Sequence, residues 1–467
     1  MKGLSTRRSQ AWLLAGVVAG TAAIVVVGRG APTPVFAPLC VATFGAYAAL
    51  VWSLRAPALR PRTLVVACVA LMVVAIAVPA RSSKDVYAYI MYGRIVAQHH
   101  ASPYTHVPAD YPSDPASARV QVAFRNTGSV YGPLFTAVSA AGMGVCGSSP
   151  ACGRVFFQTL EALAVLACML LVLRATKSWA AAACVGFNII LVASIVNGAH
   201  NDGLLALAVL AAVLFLRERP VLAGVLLGAA ALIKLNVLLP AAVLVGWLLV
   251  RDDKRKALLA GGTTGVLVLV GYVLAGGAAA LKPLHNTANF VSYHSFWYPV
   301  ERLFAAIYDV GDRGAARAVA FDHHLALVAL VIVVVLAVVV AAGRARTSGP
   351  APVAIAALSV YVLAAPYILP WYTAMIVPLL ALYRRSKTTW LILSYAALLY
   401  LLYPERFPVH RTFVTLILPE GARNLLPVVQ VVFLCIVVAA AWRPRGTAEP
   451  ADPRDSLDRI SADVVNG

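Results

Sequence analysis

The sequence predicts an all-α polytopic membrane protein, a bundle of about 12–14 transmembrane helices with short amphipathic helices on its external loops. Three observations predict it. Of 467 residues, 61% are hydrophobic and only 12% charged, whereas soluble domains carry about a quarter charged. The mean hydropathy is +0.83, too high for water-soluble cores of this length. The apolar residues also form long blocks broken by short basic clusters, and the longer blocks reach the ~20 residues a helix needs to cross about 30 Å of hydrocarbon.

Taken in order, the expected spans are 12–28, 35–54, 62–79, 154–173, 179–196, 203–216, 221–234, 236–250, 257–276, 323–342, 351–367, 369–383, 389–403 and 425–442. The N-terminus, with Lys2, Arg7 and Arg8 before an apolar run, imitates a signal peptide. No small-x-small cleavage site follows, so it is expected to stay as the first span. Residues 131–147 are apolar enough to cross but hold four glycines, a serine and a proline. If they lie on the surface, the termini and the connections holding Arg55/Arg60/Arg62, Arg174/Lys177, Arg217/Arg219, Arg251/Lys254/Arg255/Lys256, Arg344/Arg346 and Arg384/Arg385/Lys387 share one side. That side then carries more than half of the 38 basic residues. Cytoplasmic loops collect Lys and Arg, so this arrangement is preferred. Two large segments, 80–153 and 277–322, then face outside, with smaller external turns at 197–202, near 234, near 368–372 and at 404–424. Residues 1–442 form one integral-membrane domain, and 443–467 is expected to be a disordered cytoplasmic tail, sign-alternating and poor in apolar residues.

Topology also explains the formal charge of +19. The chain lacks a basic, aromatic-interleaved soluble module, so no nucleic acid is expected as partner. Of seven cysteines, Cys40, Cys68, Cys168, Cys184 and Cys435 sit in apolar blocks as small hydrophobes. Cys146 and Cys152 flank a short polar stretch, and an oxidising compartment would favour a bridge between them.

Several residues carry candidate chemistry. Asp85, Tyr89 and Tyr92 follow i, i+4, i+7 spacing and share one face of a helix. That suits a general base flanked by rings that stack on a sugar; equally, an interfacial aromatic belt would place Tyr there, with Asp85 paired to Arg81 or Lys84. His200 and Asp202, in the polar turn Asn197-Gly-Ala-His-Asn-Asp-Gly203, orient a substrate or simply cap the next helix. Lys234 interrupts an apolar run beside Asn236. An ammonium there either faces a cavity with an anionic partner such as a lipid phosphate or snorkels to headgroups. Glu161 is a second intramembrane charge, expected to be structural or paired with a base. Aromatic-rich segments, Tyr293-His-Ser-Phe-Trp-Tyr298, Pro370-Trp371-Tyr372 and Pro404-Glu-Arg406…His410-Arg411, serve as interfacial anchors or as sugar and phosphate contacts. Neither His-Glu-x-x-His nor a matched pair of Cys-x-x-Cys motifs occurs, so no metal and no cofactor are expected. A transporter or lipid-linked sugar flippase is the alternative class. Transporters place ionisable groups near the midplane between repeats, whereas here polar residues gather at one face and no repeat is visible.

Asp85-Val-Tyr-Ala-Tyr89…Tyr92-Gly-Arg94, Ser102-Pro-Tyr104-Thr, Arg125-Asn-Thr, Tyr131-Gly-Pro-Leu, His200-Asn-Asp202, Lys234 and Pro370-Trp371-Tyr372 occur together and in order. The set resembles the GT-C glycosyltransferases, and within them the polyprenyl-phosphate-mannose-dependent α-mannosyltransferases of bacterial cell envelopes. The resemblance implies a GT-C-like bundle in the inner (plasma) membrane, with its active site on the extracytoplasmic side. It implies polyprenyl-phosphate-mannose as donor, a glycan or glycolipid acceptor, membrane lipid around both, inversion at the anomeric carbon, and Asp85 as general base. The family's phosphate-contacting cations map onto Arg94 or Lys234. Asp85 lacks the acidic neighbour of the metal-dependent oligosaccharyltransferase branch.

Overall fold

The computed structural model describes residues 2–28, 33–81, 83–286, 291–292, 294–307, 315–403 and 424–442. Every regular element among them is helical. The expected turn at 404–424, with its Pro404–Arg411 motif, lies outside the described residues except for 424, as do Tyr293 and the tail 443–467. Among the described residues, five helices are long and apolar enough to cross a membrane, and eight more apolar helices run 10–17 residues.

In chain order the α-helices among the described residues are α1 (Lys2–Val27), α2 (Thr33–Ser53), α3 (Pro61–Ala77), α4 (Asp85–Ala97), α5 (Pro133–Cys146), α6 (Pro150–Thr176), α7 (Trp179–Gly186), α8 (Asp202–Phe215), α9 (Pro220–Ala231), α10 (Leu238–Val250), α11 (Lys254–Leu274), α12 (Ala278–Asn286), α13 (Trp297–Ile307), α14 (Ala315–Ala345), α15 (Pro350–Ala364), α16 (Val377–Leu382), α17 (Lys387–Leu402) and α18 (Leu426–Trp442). Proline at N1 starts many of them, where its missing N–H costs nothing.

Alternating helix directions sort the connections into two ends. At one end Gln10 clamps the α2–α3 connection: its amide donates to the Ser53 and Ala56 carbonyls, both at 2.9 Å, and accepts from the Ala58 and Leu59 amides. There too, Trp247 and Arg251 both donate to the Ser348 carbonyl, joining two basic connections. At the other end Asn197, Lys234 and the 366–372 segment meet the chain leaving α3. The outer surface is apolar: Leu258, Val266, Leu269 and Val273 of α11 and Val328, Val331 and Val335 of α14 are exposed, as a lipid-facing surface requires. Polar groups such as Gln158, Glu161, Asn197 and Asp202 are buried.

Helix α5 is 14 residues long, about 21 Å at 1.5 Å per residue and short of a bilayer crossing. It packs on α4, close at Gly93, where a Cβ would lie 2.4 Å from the Ser139 carbonyl oxygen. Two expected spans differ from continuous helices. The 179–196 segment breaks after α7, where the Asn188 side chain accepts from the Ile190 and Leu191 amides and a π-helical turn, Leu191–Val196, follows. The 369–383 segment is a 3-10 turn, Pro370–Met375, leading into the six-residue α16. Side-chain caps and prolines end helices early, and such breaks persist in membranes only where protein satisfies the backbone.

The Cys146–Cys152 disulfide is formed; it staples the end of α5 to the start of α6. Mass spectrometry of the unreduced protein is expected to find alkylation at neither cysteine, and label on either would break this assignment.

Candidate functional site

The site grows from the exit of α3. After Ala77 the chain is extended at Val78, so its last carbonyls need donors. Asn197 supplies them, donating to Ala75, Val78 and Pro79 at 3.0–3.2 Å and accepting from the Arg81 amide. Gln158 donates to the Asn197 carbonyl at 2.7 Å, and Arg154 to the Ile76 and Val78 carbonyls. This clamp ties Pro79 and Arg81 to the 197–202 turn, and Asp85 takes the first position of α4.

Asp85 keeps 22% of its side chain open, and its Oδ2 lies 3.6 Å from His200 Nδ1. Its backbone amide is held by the Ser83 hydroxyl at 3.1 Å. Burial pushes the Asp85 carboxyl up to about 6; the nearby Asp202 charge adds to this, against the opposing Ser83 hydroxyl and Lys234 ammonium. Ala199 holds a left-handed backbone, φ +56°, a conformation costly for a residue with a Cβ. It turns the His200 ring flat onto Trp371, centroids 3.9 Å apart and planes 13° from parallel.

Two residues on, Asp202 opens α8 and is 2% exposed at its side chain; Lys234 Nζ lies 2.9 Å from its Oδ1. Lys234 sits in the break between α9 and α10, on extended backbone. Its ammonium lies 4.1 Å from the Tyr372 ring centroid, so it turns inward to a carboxylate and a π-face instead of snorkelling. Asp202 Oδ2, both polar atoms of the Asn201 side chain and Asn236 Oδ1 are buried with no partner among the described residues. Buried polar atoms without a partner are rare, and the neighbours Asn201 and Asp202 hold three of these four.

The Tyr131-Gly-Pro motif braces this cation. The Gly132 amide donates to the Ile233 carbonyl at 2.9 Å and the Leu134 amide to Leu232 at 3.0 Å. A Cβ on Gly132 would meet the Leu232 carbonyl oxygen at 2.2 Å, so only glycine permits the approach. Gly132→Ala must push back the strand of chain carrying Lys234. A misplacement of about 1 Å costs on the order of 100-fold in rate, and comparable loss is expected in donor kcat/KM; a rate within twofold of wild type would show that Lys234 tolerates the shift.

Not every expected residue joins this cluster. Tyr89 is 1% exposed, edge-on to Tyr131, Phe135 and Phe157 at 4.8–5.6 Å, and its hydroxyl is hydrogen-bonded with Tyr131. The Tyr92 hydroxyl donates to the Thr127 carbonyl at 2.9 Å. Arg94, nine residues beyond Asp85 and about 14 Å along the helix, binds both Asp114 oxygens at 2.8–2.9 Å and the Gly147 carbonyl. Burial opposes charge on Asp114, yet the Ala116 amide, His99 and Arg94 outweigh it and hold the carboxyl below its ordinary value. Glu161 lies against the first amides of α8, Gly203 and Leu204, where the helix dipole favours a carboxylate; no base pairs with it among the described residues. Asn197, Gln158 and Arg154 were not anticipated as positioning groups. The signal was present: Arg154, Gln158 and Glu161 recur at i, i+4, i+7 on an otherwise apolar helix. Among the described residues, no three His, Cys, Asp or Glu side chains are grouped to hold a metal ion.

No curated protein and no solved structure matches the chain. A family model described as the N-terminal domain of alpha-(1->6)-mannopyranosyltransferases matches residues 5–251. That is more than half of the chain and includes Asp85, the 197–202 turn and Lys234. The chain therefore belongs to the alpha-(1->6)-mannopyranosyltransferase family and is a membrane-embedded α-mannosyltransferase.

Proposed function

We propose that the protein moves mannose from polyprenyl-phosphate-mannose, at the outer leaflet of the plasma membrane, to a hydroxyl of an envelope glycan or glycolipid. Asp85 takes the acceptor proton as the acceptor oxygen forms its bond to the anomeric carbon. The bond from that carbon to the phosphate oxygen breaks on the opposite face, so a β-linked donor gives an α-linked product and polyprenyl phosphate leaves. Lys234 meets the phosphate. Asn201, Asn236 and Asp202 Oδ2, which lack partners among the described residues, bond to sugar hydroxyls, and Trp371 and Tyr372 offer apolar ring faces.

One observation carries this reading: a partly open carboxylate, a half-buried ammonium paired to a buried carboxylate, and a set of orphaned polar atoms meet at one end of an apolar-surfaced bundle. A polyprenyl tail stays in lipid along such a surface while its head reaches the polar end. The disulfide in the same external segment supports an oxidising compartment for this end. The helix breaks at 187–196 and 232–237 are also a feature of transporters, so the test separates the two classes. Purified protein in proteoliposomes, given polyprenyl-phosphate-[³H]mannose and an acceptor glycolipid, is expected to yield an α-linked labelled product with release of polyprenyl phosphate. Label that crosses the bilayer with no new glycosidic bond would establish transport and overturn the transferase reading.

A further inference from the structure

The opposite end of the bundle carries a cluster of cations that the transferase site does not use. Arg55 follows α2, and Arg384 and Arg385 follow α16, with Lys387 opening α17. Helix α3 separates Arg55 from Asp85, and the 370–382 segment leads from Trp371 away to Arg384. Helix α17 packs on α2, which brings the groups to one corner, and the charges of both Arg385 and Arg55 bear on Arg384.

The local acceptors there are already used. Thr389 donates to the Leu380 and Tyr383 carbonyls, Trp390 Nε1 to the Arg384 carbonyl at 2.8 Å, and the Ser386 hydroxyl accepts from the Thr388 amide. Arg384 Nε is buried with no partner among the described residues. No carboxylate pairs with Arg55, Arg384, Arg385 or Lys387 among the described residues. Like charges held this close with no carboxylate among them are costly unless an anion binds between them. The N-terminus of α17, sixteen residues long, adds its positive dipole end. Depth is marked by Trp52, 60% exposed, with the Arg55 guanidinium 3.2 Å from its ring centroid; tryptophan and arginine side by side are a headgroup-level pair.

We infer that Arg384, Arg55 and Arg385 form a phosphate-binding site at the basic end of the bundle, filled by the headgroup of an anionic phospholipid lodged between α2 and α17. The terminal guanidinium nitrogens of Arg384 donate to a phosphate oxygen, with Arg55 and Arg385 neutralising its charge. The site is separate from the donor's, so it stands or falls independently of the transferase reading.

The test is native mass spectrometry of the full-length protein in detergent, titrated with phosphatidylglycerol, phosphatidylcholine or inorganic phosphate. Wild type is expected to retain phosphatidylglycerol at least tenfold better than Arg55→Gln/Arg384→Gln, while Lys254→Gln/Arg255→Gln, at the same end, retains it fully. Inorganic phosphate that binds wild type and not the double variant, without phosphatidylglycerol binding, assigns the same arginines to a soluble phosphate and overturns the lipid occupant. Equal retention in the double variant, equal loss in both variants, or equal binding of phosphatidylcholine overturns the site. Should the double variant not fold, a photoactivatable phosphatidylglycerol on wild type decides: adducts at residues 52–55 and 383–390 support the site, and adducts only elsewhere overturn it.

Discussion

Asp85→Asn is expected to lower mannosyl transfer by about 10²–10⁴-fold, the range that a positioned general base contributes. The amide keeps the size of the carboxyl, so donor binding should change little and the loss should fall in kcat. The pH profile sharpens the expectation. Burial raises the Asp85 carboxyl to about 6, so the base form is lost below that pH. Wild-type activity should then fall about tenfold per unit below pH 6, and the residual activity of Asp85→Asn should lack that limb. The same shift has a stability sign. The folded state prefers protonated Asp85, so stability falls as pH rises from the ordinary value of 3.8 through about 6. At pH 7.5 the Asn variant should therefore melt no lower than wild type. An Asn variant that transfers mannose at the wild-type rate with an unchanged profile would remove Asp85 as the base.

Lys234→Met is expected to act twice. It strips Asp202 of its 2.9 Å partner in a setting where the aspartate side chain is 2% exposed. Breaking one side of a buried pair costs roughly 3–5 kcal/mol, seen as a lower melting temperature in detergent. It also removes the proposed phosphate contact; a charge-assisted bond is worth about 1.5–3 kcal/mol, or roughly 10–100-fold in donor affinity. The two effects separate in Lys234→Met/Asp202→Asn, which leaves no unpaired buried charge. Stability should largely return in this double variant while donor affinity stays low. Recovery of donor affinity together with stability would make Lys234 a structural partner of Asp202 and nothing more.

Much of the site was legible before folding because its residues break a strong local pattern. A charge inside an apolar run, as at Lys234, or a polar turn between apolar helices, as at 197–202, costs energy in a membrane and so stands out. Tyr92 and Arg94 share the Asp85 motif but not its surroundings. Spacing places groups on a helix face, yet only packing determines that Tyr92 turns to Thr127 and Arg94 to Asp114 and Gly147. Sequence spacing likewise gave no warning that Asn197 ties α3 to the π-helical turn across more than a hundred residues.

What the sequence by itself determined was the solvent and the element type. Long apolar blocks must satisfy their backbone internally, and helices do so with local bonds that hydropathy reveals. It also marked the costly polar residues one by one. Only the tertiary structure decided which of them meet: the Lys234–Asp202 pair, the His200–Trp371 stack and the Asn197 clamp join residues tens to hundreds of positions apart. Such pairings depend on where helices break and how closely they approach, as at Gly132 against Leu232, and no local periodicity encodes those distances.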